Sequence, residues 1–465
     1  MPFDFDLLAI GSGPAGQRAA VQAAKLGKQA AIVEQRAGIG GVCLQSGTIP
    51  SKTFREAVLA LTNAADSLTR LGLGRALPRP TAAQLLARVD EVVRREMDVL
   101  EQQLRRNRVE IIGGRASFVD PHTVRIESAG TSRTVSAASI VIAVGTRPAA
   151  PPGVAVDGET VLTSDDIGTL ARIPRTLTVV GAGVIGIEYA SMFAALGTTE
   201  VTLIDRRERP LEFLDAEIVD ELMHQMRKRN VTFRCGEAVA RIERTDGSPS
   251  RIAIALESGK RIVSDAVLFS VGRSGATADL GLEHAGLAAD DRGRLAVDTQ
   301  FRTTVPHIFA VGDVIGYPSL AATSSEQGRL AACCALGAPA RPMAAHFPIG
   351  IYAIPEIGMV GATEHELTAK KVPYEVGIAR YREIARGQIV GDESGLFKML
   401  FHRDDRRLLG VHIIGTGATE LLHIGQAVLG LGAGLDYFLD TVFNYPTLAE
   451  CYKVAALNAA NKLMA

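Results

Sequence analysis

Two short stretches of this 465-residue chain carry glycines at the spacing that a bound diphosphate requires. The first is Gly11-Ser12-Gly13-Pro14-Ala15-Gly16, preceded by the apolar run Leu7-Leu8-Ala9-Ile10 and followed by an alanine-rich helical stretch and then by Ala30-Ala31-Ile32-Val33-Glu34. In a strand–turn–helix–strand unit of this kind the first glycine turns tightly, the second lets backbone approach a pyrophosphate, and the third allows close helix packing. Free N–H groups at the helix start then face the anion. Glu34 falls where a carboxylate accepts from ribose hydroxyls. A second copy reads Leu177-Thr178-Val179-Val180, Gly181-Ala182-Gly183-Val184-Ile185-Gly186, a helix to about residue 196, then Val201-Thr202-Leu203-Ile204-Asp205. A lone glycine turn also arises for structural reasons; two copies in full context, each with its acid, predict two dinucleotide sites.

The second acid is followed by Arg206 and Arg207, so that pocket offers a carboxylate for a 2′-hydroxyl and guanidinium groups for a 2′-phosphate. This points to use of both NAD and NADP. The competing reading is a solvated turn. Each unit is closed by a further buried strand ending in a glycine turn, over residues 140–148 with Gly145 and over 266–273 with Gly272. Ile308-Phe309-Ala310-Val311-Gly312-Asp313 then sets one carboxylate at the carboxyl edge of a sheet, where cofactors bind in α/β folds; the alternative for Asp313 is a helix N-cap. Residues 319–335 continue as a helix whose positive end, near Ala321, could face the cofactor.

The elements that position these residues fill more than one core, because a chain of this length is expected to divide into two to four domains. Composition is that of an α/β protein, with 47% hydrophobic residues, 47 glycines and no tryptophan. A formal charge of −1 gives no field for nucleic acid or an anionic membrane surface. The run 177–187 is the most membrane-like stretch, yet it is short and broken by glycines, so no membrane span is expected. No basic stretch or cleavage site marks a secretory leader at Met1-Pro2-Phe3-Asp4, and the five scattered cysteines fit a reducing, cytoplasmic setting. Nothing groups as a metal site. A periodic apolar pattern from Leu85 to Leu104 predicts a long helix over 81–106, read as scaffold. From about 345 the pattern turns to strands and Gly or Pro turns, with helices near 418–430 and 447–463, as in a separate α+β domain.

Residues 38–56 read Gly-Ile-Gly-Gly-Val-Cys-Leu-Gln-Ser-Gly-Thr-Ile-Pro-Ser-Lys-Thr-Phe-Arg-Glu. Here the chain resembles the pyridine nucleotide-disulfide oxidoreductase family, over nearly its whole length and with the motifs in the same order. The resemblance implies two Rossmann-like dinucleotide-binding domains plus a C-terminal α+β interface domain. It divides the chain into an FAD-binding domain over 1–150 and 276–344, an NAD(P)-binding domain over 151–275, and a dimerisation domain over 345–465. The family's redox segment places two cysteines, Gly-Gly-x-Cys-x-x-x-x-Cys-x-Pro-Ser-Lys, beside the flavin. In this chain the first is Cys43 and the second position is Thr48. A dithiol relay needs two sulfurs, and threonine forms no disulfide. Cys43 holds the position remote from the flavin, and its plain alternative is a small buried residue at a helix start. The family's C-terminal His-Pro-Thr is here Tyr445-Pro446-Thr447, which replaces the thiols' acid–base group by a phenol of pKa near ~10.

Loss of both groups, with Gly47-Thr48-Ile49-Pro50-Ser51-Lys52, 311–320 and Phe443-Asn444-Tyr445-Pro446-Thr447, resembles the branch of soluble, energy-independent, Si-specific pyridine nucleotide transhydrogenases. That implies FAD as the bound cofactor, NADPH and NAD+ as substrates exchanging hydride in turn, and homodimers or larger homo-oligomers built through the C-terminal domain. It also implies that Lys52 approaches the flavin and pairs with Glu188, whose alternative is a helix-surface carboxylate. The FAD set is then Gly11, Gly13, Gly16, Glu34, Cys43, Thr48, Lys52, Gly145, Asp313 and Ala321. The NAD or NADP set is Gly181, Gly183, Gly186, Glu188, Asp205, Arg206, Arg207 and Gly272. Three rivals stay open: a lipoamide dehydrogenase-like reductase, a single-cysteine NAD(P)H oxidase or peroxidase using a Cys43 sulfenic acid, and a flavin-binding interaction protein without activity.

Overall fold

The computed structural model describes residues 3–74, 79–151, 153–247 and 250–464. Met1 and Pro2, where the N-terminal reading begins, lie outside them. The first sheet runs in the order Glu110–Gly113, Ala30–Glu34, Phe5–Ile10, Thr131–Ile142, Thr123–Ser128, Arg115–Asp120, with Ile308–Ala310 also paired to Thr131–Ile142. Leu7, Leu8 and Ala9 are fully buried, as expected of a parallel strand covered on both faces. The 12-residue strand Thr131–Ile142 does two jobs. Its first half pairs antiparallel with Thr123–Ser128, and its second half pairs parallel with Phe5–Ile10 and Ile308–Ala310.

The second sheet is wholly parallel, in the order Val231–Cys235, Glu200–Asp205, Thr176–Val180, Ala266–Phe269, Val161–Leu162. Each closing strand is shorter than the sequence pattern suggests. Thr131–Ile142 stops before Gly145, which has a φ of +67°, and the chain resumes as Thr146–Pro148; likewise Ala266–Phe269 stops before Gly272 and resumes as Arg273–Gly275. The two resumed pieces pair antiparallel and form a ribbon between the units. A positive φ suits glycine and breaks a ladder, so the chain leaves the sheet there and resumes as a separate short strand.

The long helix is Ala82–Arg106, started by a capping box in which the Thr81 hydroxyl accepts from the Gln84 N–H at 3.2 Å. With Thr48–Arg70 it does more than scaffold the first unit. Phe54, Val58, Leu85 and Val89 share a core with Ile187 and Phe193 of the second nucleotide helix, the Phe54 and Phe193 rings lying 5.8 Å apart.

The C-terminal unit is a five-stranded antiparallel sheet, Ile349–Ile351, Ile357–Gly361, Leu408–Ile414, Leu396–His402, Tyr374–Arg380, covered by the helices Ala418–Gly430 and Glu450–Met464. The last helix begins at Glu450 rather than 447, because the Thr447 hydroxyl turns back to the Asn444 carbonyl at 2.7 Å. Asp215 and Glu217, at the start of the helix Ala216–Lys228, and Glu364 converge on one point. The fully buried Lys398 ammonium fills it, 2.9 Å from Asp215 and 2.7 Å from Glu217 and also paired to Glu364, and ties the second unit to this sheet. No helix of the described residues is long and apolar enough to cross a membrane.

Candidate functional site

The first glycine turn is steric in origin. A Cβ on Gly11, at φ +106°, would stand 2.4 Å from the Ala143 carbonyl oxygen, and one on Gly16 would stand 1.9 Å from the Gly11 oxygen. Gly13 differs, since nothing lies within 4 Å of a Cβ there. It starts the helix Pro14–Lys25 with no side chain capping the free N–H groups. An open backbone end of this kind suits a pyrophosphate. Glu34 is 6% exposed; one oxygen accepts from the Ser12 N–H at 3.1 Å and hydroxyl at 2.5 Å, the other from the Arg36 N–H at 2.9 Å. The Ser12 hydroxyl in turn accepts from the Gly40 N–H at 2.9 Å, which fastens the Cys43 segment over the turn.

Gly11, Gly13, Glu34, Cys43, Thr48, Gly145, Asp313 and Ala321 all line one cavity. Gly16 stands behind it as a packing contact. The helix Ala321–Ala335 also starts without a side-chain cap, so its positive end opens on the same space. Asp313 lies in a one-turn helix, Gly312–Ile315, preceded by the extended Val311, so the N-cap reading does not hold for it. Burial drives its carboxyl pKa up, against the pull of the Arg273 guanidinium and the Ser324 hydroxyl. A dinucleotide with a polyhydroxyl link and a π-system fits this donor set, with backbone N–H groups at two helix starts and carboxylates at both ends.

Lys52 and Glu188 meet from 136 residues apart, the ammonium lying 3.0 and 2.8 Å from the two carboxylate oxygens. Glu188 is 3% exposed, which rules out the helix-surface alternative. It also accepts from the Tyr352 N–H at 2.9 Å, and the Lys52 ammonium sits 5.0 Å from the centre of the Tyr352 ring. The segment 352–356 is held along its length: Arg55 donates to the Ala353 carbonyl at 2.9 Å and pairs with Glu356 at 2.9 Å, while the Ile354 N–H donates to Ser191 at 3.0 Å. Tyr352, Ser12 and Arg273 escape sequence reasoning. Ser12 carries a signal, a hydroxyl inside the glycine turn. Arg273 binds the Thr146 hydroxyl and carbonyl at 2.8 and 2.9 Å, holding the inter-unit ribbon; neither it nor Tyr352 shows a pattern.

Cys43 belongs to a five-residue helix, Gly41–Gln45, and Thr48 opens the next, Thr48–Arg70. The thiol is half-buried beside the cavity, not sealed in a core. Burial raises its pKa, opposed only in part by a hydrogen bond with Thr48 and the Lys52 charge. A thiol so placed stays protonated at neutral pH, whereas a reactive cysteine needs the opposite shift. Tyr445 is 67% exposed.

The second turn repeats the first. Cβ atoms on Gly181 and Gly186 would stand 2.6 Å from the Ser270 oxygen and 1.9 Å from the Gly181 oxygen, while Gly183 and Gly272 face open space. The acid is handled differently. Asp205 accepts from the Ala182 N–H at 2.5 Å, the Arg207 N–H at 2.8 Å, and the Arg207 guanidinium at 3.0 and 2.7 Å. Burial raises its pKa, but these bonds outweigh burial and hold it below the usual carboxylate value. Arg207 is therefore clamped to Asp205. Arg206 is 77% exposed, with one 3.8 Å ion pair to Glu257, and fits the solvated-turn alternative better.

The pattern of the pyridine nucleotide-disulphide oxidoreductases matches residues 5–328, and that of their dimerisation domain matches 347–456. The chain is 53% identical over 464 residues to the soluble pyridine nucleotide transhydrogenase of Mycobacterium tuberculosis (strain ATCC 25177 / H37Ra), covering 99% of this chain and 98% of that one. It is 45% identical over 467 residues to the protein of the same name from Photobacterium profundum, at 99% and 98% coverage. Among solved structures, LpdA from Mycobacterium tuberculosis superposes with a TM-score of 0.89 at 27% identity, over 99% of this chain and 100% of that one. The HOCl-induced flavoprotein disulfide reductase RclA from Escherichia coli gives 0.87 at 26% identity, over 97% and 99%.

Proposed function

We infer that this chain, which belongs to the pyridine nucleotide-disulphide oxidoreductase family, exchanges hydride between NADPH and NAD+ through FAD, with Si-face specificity. The observation that carries the reading is the redox segment. A single, protonated thiol faces a threonine hydroxyl, while the Lys52–Glu188 pair stands intact, close enough for the Lys52 charge to act on that thiol. One thiol cannot relay electrons as a disulfide, which removes the lipoamide-type rival. A raised thiol pKa opposes sulfenic-acid chemistry, and the intact charged pair opposes a merely flavin-binding role.

Bound FAD supplies the hydride acceptor and donor. The residues of the chain do the rest. The Gly11–Gly16 turn and its helix bind the pyrophosphate, Glu34 the adenine ribose, and Asp313 the ribityl chain. The helix start at Ala321 favours negative charge at the pyrimidine edge. Lys52 supplies a fixed positive charge near the reacting ring. Glu188 and the Tyr352 N–H fix its direction, so no reorganisation is needed when charge develops. At the second turn, Gly181, Gly183 and Gly186 admit the nicotinamide nucleotide, Gly272 borders it, and Asp205 with Arg207 reads its ribose. NADP+ leaves before NAD+ enters the same place. We assign residues 1–150 and 276–344 to the FAD domain, 151–275 to the NAD(P) domain and 345–465 to the interface of a cytoplasmic homo-oligomer.

Steady-state kinetics test this. Varying NAD+ at several NADPH concentrations is expected to give parallel double-reciprocal lines, with deuterium delivered from one C4 face of NADPH only. Intersecting lines, or transfer requiring an added disulfide, overturn the reading.

A further inference from the structure

The parallel sheet of the second unit has two edges. The carboxyl edge carries the glycine turn and Asp205. At the opposite edge, where the strands Thr176–Val180 and Glu200–Asp205 begin, lies a cavity of about 930 Å³. Strands of five and six residues, at about 3.3 Å each, set it on the far side of the sheet from the nucleotide turn. Its wall brings together Arg79, Arg172, Arg175, Arg229 and Arg251, against the acids Glu200 and Asp265.

Asp265 answers one of these five guanidinium groups. One of its oxygens accepts from Arg251 at 3.1 Å, and the other is taken by the Arg175 and Thr176 backbone N–H groups at 3.0 and 3.1 Å. Arg229 donates to the Ile354 carbonyl at 2.9 Å, and the carboxylates of Asp66 and Asp392 act on it through their charge. Arg172 and Arg175 are exposed and make no side-chain hydrogen bond or ion pair among the described residues. Like charges lining one concavity raise its potential and draw counter-ions in. Guanidinium forks match phosphate oxygens two at a time, and the volume lies in the range of small-molecule sites.

We propose that this cavity is a second anion site, separate from both dinucleotide pockets, that takes a small molecule bearing a diphosphate group. Calorimetric titration of the FAD-loaded protein with inorganic diphosphate, at constant ionic strength and with NAD+ saturating, tests it. The expected result is one saturable site with a Kd below about 1 mM. Arg172→Ala/Arg175→Ala is expected to weaken it at least about tenfold, with FAD content and Tm unchanged. If that double variant does not fold, Arg172→Gln alone is expected to weaken binding by at least about threefold. Absence of saturable binding once NAD+ fills the nucleotide pocket overturns the proposal. So does an unchanged affinity in the folded variants, or binding no tighter than that of sulfate at the same ionic strength.

Discussion

The two glycine turns share one steric logic and differ in the side chain that completes the hold on the acid, a serine hydroxyl in the first and an arginine in the second. Gly16 and Gly186 each leave 1.9 Å between a would-be Cβ and the carbonyl of the first glycine of the turn. Yet Glu34 is sealed at 6% exposure by Ser12 and by backbone, with the Cys43 segment fastened on top through Gly40. Asp205 takes the matching backbone bonds from the Ala182 and Arg207 N–H groups and adds the Arg207 guanidinium, which is 40% exposed. Backbone geometry alone thus does not tell the two turns apart. An acid fastened beneath the Cys43 segment would suit a resident cofactor, and one edged by an exposed guanidinium would suit a nucleotide that comes and goes.

The sharpest way to break this comparison is to fill each turn. Gly16→Ala is expected to yield protein with little or no FAD, because the clash falls in the resident pocket. Gly186→Ala is expected to keep its FAD and its Tm within a few degrees while losing reduction by NADPH at least about a hundredfold. Flavin absorbance per chain and stopped-flow reduction measure both. Two colourless proteins would show that the pockets are not independent.

Next in size is the charged pair between the pockets. Lys52→Met is expected to slow flavin reduction by about a hundredfold with FAD retained, since a preorganised charge is commonly worth ~10²–10³ in rate. Glu188→Gln keeps an acceptor for the Tyr352 N–H and is expected to cost less, about tenfold. Equal and small effects would demote the pair to inter-unit packing.

Arg207 sharpens the comparison further. Arg207→Ala is expected to raise the KM for NADPH roughly tenfold, for a lost charge-assisted phosphate contact of about 1.5–3 kcal/mol. NADH should change by less than about threefold, because Asp205 is freed for the ribose hydroxyl. Arg206→Ala is expected to do less to both. An equal loss for both nucleotides would make Arg207 a clamp on Asp205 and nothing more.

The smallest effect is expected at Cys43. Cys43→Ser should keep exchange activity within about threefold of the parent. Its thiol pKa is raised above the ordinary value of 9.0, so the thiolate appears only as pH climbs beyond it. Alkylation by iodoacetamide should therefore be slow at neutral pH and accelerate only in alkaline solution. Fast alkylation at pH 7 would revive the peroxidase-type rival.

How much of this was legible in the sequence follows from what each residue answers to. Gly11, Gly16, Gly181 and Gly186 meet a local steric demand, and a local pattern reports it. Tyr352 reaches Glu188 across 164 residues, by a backbone N–H that any residue could supply, so no motif marks it. The turns at Gly145 and Gly272 were legible, but the short strands Thr146–Pro148 and Arg273–Gly275 beyond them were not, because neither carries an apolar strand pattern. Pairing of Lys52 with Glu188 came from resemblance, and the structure supplies its cause: the helices Thr48–Arg70 and Val184–Ala195 share one core. The arginine cavity gathers residues from separate segments, each unremarked alone.

The central claim is that electrons pass through the flavin without a dithiol, and anaerobic titration tests it most directly. One equivalent of NADPH per FAD is expected to bleach the flavin completely, with two electrons taken up, no long-wavelength thiolate–flavin band, and full recovery of absorbance on adding NAD+. Uptake of four electrons per flavin, appearance of that band, or a reduced flavin that NAD+ fails to reoxidise would contradict the account.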